Sequence, residues 1–166
     1  KSIKIINEHI YLGGIFTHFQ GNGASWTYAR NGARLDINGK PDRSWNPEFN
    51  GSVIDIDVDE NEAYYYAAGY FTRAHDRVVE NAGRLSTAAG AELDQSWTFR
   101  HSYLIGKYQQ TVTAANGRVY FGGSQHSLFG YNSDTMTRTS GSITMYNGGD
   151  IQASTRSATG VVYASC

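Results

Sequence analysis

The chain has 166 residues and a formal net charge of −1, with 17% charged residues, 19 Gly, 12 Tyr, 3 Trp and only 2 Pro. An apolar content of 40% is enough to bury a core and argues against disorder, and glycine without a three-residue period excludes collagen. Near-neutrality removes the basic field that a nucleic acid partner requires, and no run reaches the roughly 18 apolar residues of a membrane-spanning helix, so neither nucleic acid binding nor membrane insertion is expected.

The chain starts at Lys1 without Met or an apolar leader, so any targeting segment is expected to be removed or not included. Ile10-Tyr11-Leu12-Gly13-Gly14-Ile15-Phe16-Thr17 reads as a β-rich segment closed by glycine. A long loop from Gly14 to Arg34 follows, holding Phe19, Trp26 and Tyr28 among Gly21, Asn22, Gly23 and Ser25. Arg34 to Ile37, the turn Asn38-Gly39 and the stretch through Asp42 to Trp45 read as a hairpin. Asn50-Gly51-Ser52 is an N-x-Ser acceptor sequence on a turn, which makes Asn50 a glycosylation candidate.

Val53-Ile54-Asp55-Ile56-Asp57-Val58 alternates apolar and acidic residues from Ile54, predicting a strand with Ile54, Ile56 and Val58 on one face and a solvated acidic face opposite. Asp59 to Glu62 is a polar turn, and Ala63 to Ala68 a return strand. With Asp55, Asp57, Asp59, Glu60 and Glu62 the segment superficially resembles a calcium loop, but positions six and twelve from Asp55 are Glu60 and Tyr66 rather than the required Gly and Glu, so no metal site is expected. Tyr65-Tyr66-Ala67-Ala68-Gly69-Tyr70-Phe71-Thr72 repeats the first glycine-closed segment, and Gly83-Arg84-Leu85 through Asp94-Gln95-Ser96-Trp97 repeats Ala33-Arg34-Leu35 through Asp42-Arg43-Ser44-Trp45. Between them, Arg73-Ala74-His75-Asp76-Arg77 reads as a surface loop.

Thr111 to Ala114, the turn Ala115-Asn116-Gly117 and Arg118 to Phe121 form the next hairpin, which ends in Gly122-Gly123-Ser124. The glycines Gly14, Gly69 and Gly123 are 55 and 54 residues apart. Ser142 to Gly148 reads as a weak third copy of the second landmark, without the Asp-x-Ser-Trp element, and Val161 to Ala164 as a last strand ending at Cys166, the one cysteine. A strand that stops there is expected to belong to a processed or incomplete piece of a longer protein. No segment keeps a 3.6-residue period, so little or no helix is expected. Units of about 50–55 residues with roughly four strands each are the pattern of propeller blades, of which a ring needs typically four to eight. The expected fold is therefore all-β and β-propeller-like, a partial propeller over 1–166 with units near 1–52, 53–110 and 111–166, probed against a sandwich as the competing architecture.

Tyr11 to Thr17, Asn31-Gly32-Ala33-Arg34-Leu35-Asp36, Gly39-Lys40-Pro41-Asp42-Arg43-Ser44-Trp45-Asn46-Pro47 and Asn50-Gly51-Ser52-Val53 resemble the delta-60 repeat of bacterial secreted and surface β-propellers. The second unit matches nearly as well, and the resemblance covers residues 10 to 125. It implies a propeller at the cell surface or outside the cell, and it implies that Cys166 pairs with a cysteine beyond the chain end. It says almost nothing about activity.

Residues that recur in each unit are first explained by what each unit needs. Gly14, Gly69 and Gly123, Asp42 and Asp94, and Trp45 and Trp97 are accordingly expected to be structural, the aspartates stabilising turns beside buried indoles. Solitary polar residues are freer to meet a ligand: His126, where the other units carry Phe-Thr, with Asp150 and Gln152; and the loop aromatics Trp26 and Tyr28, whose amphipathic rings suit a sugar or protein surface. No phosphate loop, metal spacing or nucleophile elbow is present in the sequence, and no cofactor is expected. The expected function is a non-catalytic extracellular module that binds a protein or glycan or spaces other domains. The alternatives are a structural subunit that pairs with copies of itself in a fibre, surface layer or virion, and a propeller hydrolase using His126 and Asp150.

Overall fold

The computed structural model describes residues 1–23, 25–97, 99, 108–139, 143–144 and 149–166, the last pair before 149 by backbone only. Its described residues are all-β, without helix. In chain order the strands are β1 (Ser2–Ile6), β2 (His9–Gly13), β3 (His18–Phe19), β4 (Thr27–Tyr28), β5 (Gly32–Asp36), β6 (Val53–Val58), β7 (Tyr64–Gly69), β8 (Arg73–Ala74), β9 (Arg77–Val78), β10 (Ala82–Ser86), β11 (Gln109–Ala115), β12 (Arg118–Gly123), β13 (Ser127–Asn132), β14 (Ile143–Thr144), β15 (Ala153–Arg156) and β16 (Val162–Ser165).

They form antiparallel sheets in succession: β1-β2-β5, then β6-β7-β10, then β11-β12-β13-β14, then the pair β15-β16, with the small hairpins β3-β4 and β8-β9 on the first two. The first strands of the four sheets, β1, β6, β11 and β15, lie side by side and together line one polar groove of about 330 Å³. The sheets therefore turn about a common line. Tyr11 faces Lys4, Tyr66 faces Asp57, Tyr120 faces Thr113 and Tyr163 faces Thr155, so the same rung recurs in all four sheets. Val162–Ser165 is thus the second strand of a fourth sheet, where the sequence pattern had attached it to the third unit.

The first two sheets have three strands rather than four. Past Asp36 and Ser86 the chain returns along its sheet through the isolated bridges Leu35–Pro41 and Leu85–Leu93 rather than through a further strand. Asp42 Oδ1 and Asp94 Oδ1 then accept the backbone N–H and hydroxyl of Ser44 and Ser96, turning the chain inward before a fourth ladder can form. In the third unit most of the expected landmark copy, Ser142–Gly148, lies outside the described residues. Gly130 and Thr139 occupy the register of Arg34 and Asp42, since Thr139 N–H bonds Gly130 C=O as Asp42 N–H bonds Arg34 C=O. A Cβ at Gly130 would run into Tyr120 and Thr139, so no arginine fits there.

Two aromatic cores lie between successive sheets. Tyr11, Trp45 and Phe49 pack against Ile56, Val58, Tyr65 and Leu85 between the first and second. Tyr66, Ala68 and Trp97 pack against Val112, Phe121 and Tyr131 between the second and third. Gly69 and Gly123 stand beside the start of the first strand of their own sheet: a Cβ there would collide with the carbonyls of Ser52 and Tyr108.

The acidic strand face is not solvated. Asp55 accepts hydrogen bonds from Ser2 Oγ at 2.8 Å, from Val112 N–H at 3.0 Å and from Thr111 Oγ1 at 3.1 Å, and Asp57 accepts from Ala114 N–H at 2.8 Å and pairs with Lys4 at 3.1 Å. Both carboxylates thus bind first strands of neighbouring sheets to one another, on a strand that carries a β-bulge between Val53 and Asp55. Burial favours the neutral acid and raises the Asp55 pKa despite these hydrogen bonds.

Candidate ligand-binding face

The second strands end, and the next first strands begin, on one face of the molecule. In the first two sheets the chain leaves this face through a left-handed asparagine, Asn31 or Asn81, with φ of 63° and 64°. Their side chains donate to the carbonyls of Phe49 and Phe71, anchoring the hairpins β3-β4 and β8-β9. The two residues between β8 and β9, His75 and Asp76, both have positive φ, the geometry of a tight hairpin turn, and His75 Nε2 lies 3.0 Å from the Ala91 carbonyl. That surface loop is a structural turn.

The third sheet replaces the excursion with a short turn. Buried Gln109 and Gln125 exchange two amide hydrogen bonds, at 2.8 and 2.9 Å, and Gln125 also donates to the Phe121 carbonyl. This pins the turn that carries His126, itself at φ 58°. The imidazole Nε2 lies 3.9 Å from Asp150 Oδ1. Asp150 also accepts from Gln110 Nε2 at 3.1 Å and from the Tyr108 hydroxyl. The hydrogen bond to Asp150, more than burial, pushes the Tyr108 pKa up to about 12, because removing its proton would set two anions together. Tyr108 stacks on Tyr70 with ring centres 5.1 Å apart and planes at 23°, and Tyr70 is 54% exposed.

The face thus combines an exposed ring, a fixed carboxylate, an amide and an imidazole. Of the residues expected from sequence, His126 and Asp150 meet here. Gln152 is exposed and is held through its backbone N–H, which donates to the Ser165 carbonyl. Trp26 and Tyr28 lie on the first sheet's outer hairpin, 66% and 48% exposed, with the Tyr28 hydroxyl donating to Glu48 at 2.7 Å and His18 edge-on to its ring. Asn50 is exposed, but its amide donates to Thr72 Oγ1 and accepts from the N–H groups of Thr72 and Arg73, so it fastens the second sheet's loop. Cys166 is exposed and has no disulfide among the described residues.

Tyr70, Tyr108 and Gln110 were missed from sequence. A signal was present: the hydrogen-bond register puts Tyr108 and Asp150 at the repeat position of Ser52, and Tyr70 at that of Ile15. Substitution of a ring and a carboxylate at one repeat position marks departure from the structural pattern.

No family model matches the chain, and no curated protein matches it. Among solved structures it resembles the computationally designed Ika8 protein, with a TM-score of 0.59 and 8% identity over 98% of this chain and 41% of Ika8. It also resembles the designed Ika4 protein, with a TM-score of 0.53 and 8% identity over 98% of this chain and 88% of that one. A third match is the WD40 β-propeller domain of Doa1, with a TM-score of 0.45, 11% identity and coverage of 98% and 74%. The chain spans less than half the length of Ika8. At these identities the likeness concerns fold only.

Proposed function

We propose that the chain is an arc of a β-propeller and acts as a non-catalytic glycan-binding module. The propeller reading is supported by four successive sheets whose first strands share one groove and whose tyrosine rungs repeat in register. The delta-60 resemblance is consistent with that arrangement and supports a site of action at the cell surface or outside the cell.

One observation carries the binding reading: the Tyr70–Tyr108 stack beside Asp150, Gln110 and His126. A sugar ring presents a C–H face that covers an exposed tyrosine and an equatorial rim of hydroxyls that carboxylate and amide groups satisfy. Tyr70 supplies the first surface and Asp150 with Gln110 the second. The role is non-catalytic because Asp150 is already an acceptor for Tyr108 and Gln110, which suits a fixed recognition group better than a base that must take up a proton.

The test is a glycan array probed with the purified chain, followed by calorimetry of the best ligand against the Tyr70→Ala variant. Binding that weakens at least ~10-fold in the variant supports the site. Equal binding by both chains, or no glycan bound, overturns it.

A further inference from the structure

We infer that the pocket between the turns of the second and third sheets binds a carboxylate, held by the Tyr66 hydroxyl beside Arg84. The internal repeat supplies the comparison. Between the first and second sheets, the Tyr11 hydroxyl accepts from Arg34 Nη1 at 3.2 Å and donates to Glu62 Oε1 at 2.8 Å. Tyr66 and Arg84 stand opposite one another on the second sheet as Tyr11 and Arg34 do on the first. Tyr66 is 0% exposed, yet its hydroxyl has no hydrogen-bond partner among the described residues. Arg84 is held by Asp94 and by the Ser133 carbonyl, and a guanidinium can only donate, so it offers the phenol proton no acceptor. A buried donor in that state is unfavourable, and a ligand that brings the missing carboxylate relieves it.

The chain supplies no acceptor here because the third sheet turns sooner. Glu62 stands four residues before Tyr66 in the turn between β6 and β7, and Asn116 stands four before Tyr120 in the shorter turn Asn116-Gly117. Both residues are left-handed, with φ of 53° and 51°. Asn116 thus takes the place of Glu62, but its amide donates away from Tyr66, to the Gly160 carbonyl of the fourth sheet's turn at 3.3 Å. What remains is a pocket of about 200 Å³ lined by Tyr64, Tyr66, Asn116, Arg118 and Arg156, with Arg84 over the Tyr64 ring at 4.0 Å. Arg118 is an exposed cation at this pocket, while Arg156 is held by the Ala114 carbonyl. Of the acids that also line it, Asp59 accepts the N–H groups of Ala63 and Tyr64 at 2.7 and 3.0 Å, and Glu60 and Asp134 are exposed to water, which weakens their repulsion of an anion. The pocket lies at the end of these strands remote from Tyr70 and is independent of the glycan-binding face.

Amide NMR titration of the full chain tests this, with propionate and a blocked Gly-Glu-Gly peptide as probes to ~20 mM. Propionamide and the blocked Gly-Gln-Gly peptide are the controls, at matched ionic strength. The expected result is saturable shifts at Tyr64, Asn116 and Arg118 with a carboxylate and with neither amide, weakened at least ~10-fold in Tyr66→Phe. Tighter binding of the peptide assigns the site to an acidic side chain of a partner, and equal or tighter binding of propionate to a free carboxylate; either supports the site. Tyr66→Phe removes a hydroxyl without a partner, so the ligand-free variant keeps the wild-type urea midpoint, whereas Tyr11→Phe, which loses the bond to Glu62, unfolds earlier. No saturable shift with either carboxylate overturns the inference. So does an equal response to the amides, undiminished binding by Tyr66→Phe, or a midpoint that falls as far in Tyr66→Phe as in Tyr11→Phe.

Discussion

Trp45 of the first sheet donates its indole N–H to the Ser86 carbonyl of the second at 3.0 Å, while its ring stands edge-on to Tyr11 and Tyr65. Its repeat partner Trp97 is also buried, against Phe121 and Tyr131, but its indole N–H meets no acceptor among the described residues. The two indoles share a place in the pattern and differ in one hydrogen bond.

Trp45→Phe should therefore cost more than Trp97→Phe. Both lose ring area, but only the first leaves a part-buried carbonyl without its donor, worth about 1 kcal/mol. Chemical denaturation of the two variants measures the difference; equal midpoints would show that the Ser86 contact contributes nothing.

Arg34 and Arg84 each make two guanidinium hydrogen bonds to one carboxylate, Asp42 and Asp94, and reach across to backbone carbonyls of the next sheet at Thr87 and Ser133. Asp42→Asn should lower stability by about 2 kcal/mol, since a largely buried arginine loses its charge partner. Thr139→Asp, at the equivalent place in the third sheet, should give no gain, because Gly130 stands where the arginine would be. Urea unfolding of both variants checks the pair of expectations.

Acid should destabilise the fold. Burial of Asp42 and Asp94 favours their neutral forms, but hydrogen bonds from Ser44 and Arg34, and from Ser96 and Arg84, outweigh it and hold both carboxyls below the usual range. Glu62 is likewise held low, against burial, by Asn7, Tyr11 and His9. A depressed carboxyl stabilises the fold above its unfolded pKa, near 4, and that stability is lost as pH falls through the folded value. Asp55 is raised and works in the opposite sense, favouring the folded state as it takes up its proton. The melting temperature should accordingly fall below about pH 4, and Asp55→Asn should remove the opposing gain in stability that Asp55 supplies above about pH 4, as pH falls through its raised folded value. An unchanged pH dependence above about pH 4 in Asp55→Asn would contradict the assignment.

Asp150→Asn should move the Tyr108 titration from about 12 toward the ordinary tyrosine value, because the principal cause of the shift is removed. Ultraviolet difference titration, with Tyr108→Phe to identify the signal, reads it directly. A Tyr108 midpoint unmoved by the substitution would show that the carboxylate is not its partner.

The array was legible in the sequence wherever the repeat had a structural cause. Gly14, Gly69 and Gly123 recur at the ends of second strands, and Asp42–Trp45 recurs as Asp94–Trp97 because each unit needs the same turn. The third sheet is harder to read because Gly130 and Thr139 stand where the first two units carry the Arg–Asp pair. The buried roles of Asp55 and Asp57 were hidden for a different reason: alternation assigns faces within a strand but says nothing about a neighbouring sheet lying beside it, nor about a bulge. At the candidate site, His126 and Asp150 stood out as solitary polar residues, whereas Tyr70 and Tyr108 looked like two more rings in a tyrosine-rich chain.

The most direct test of glycan recognition at this face is a two-dimensional amide NMR titration of the chain with its best oligosaccharide ligand. Shifts concentrated on Tyr70, Tyr108, Gln110, His126 and Asp150 are the predicted result. Shifts confined to the Trp26–Tyr28 hairpin, or no shifts at saturating sugar, would contradict it.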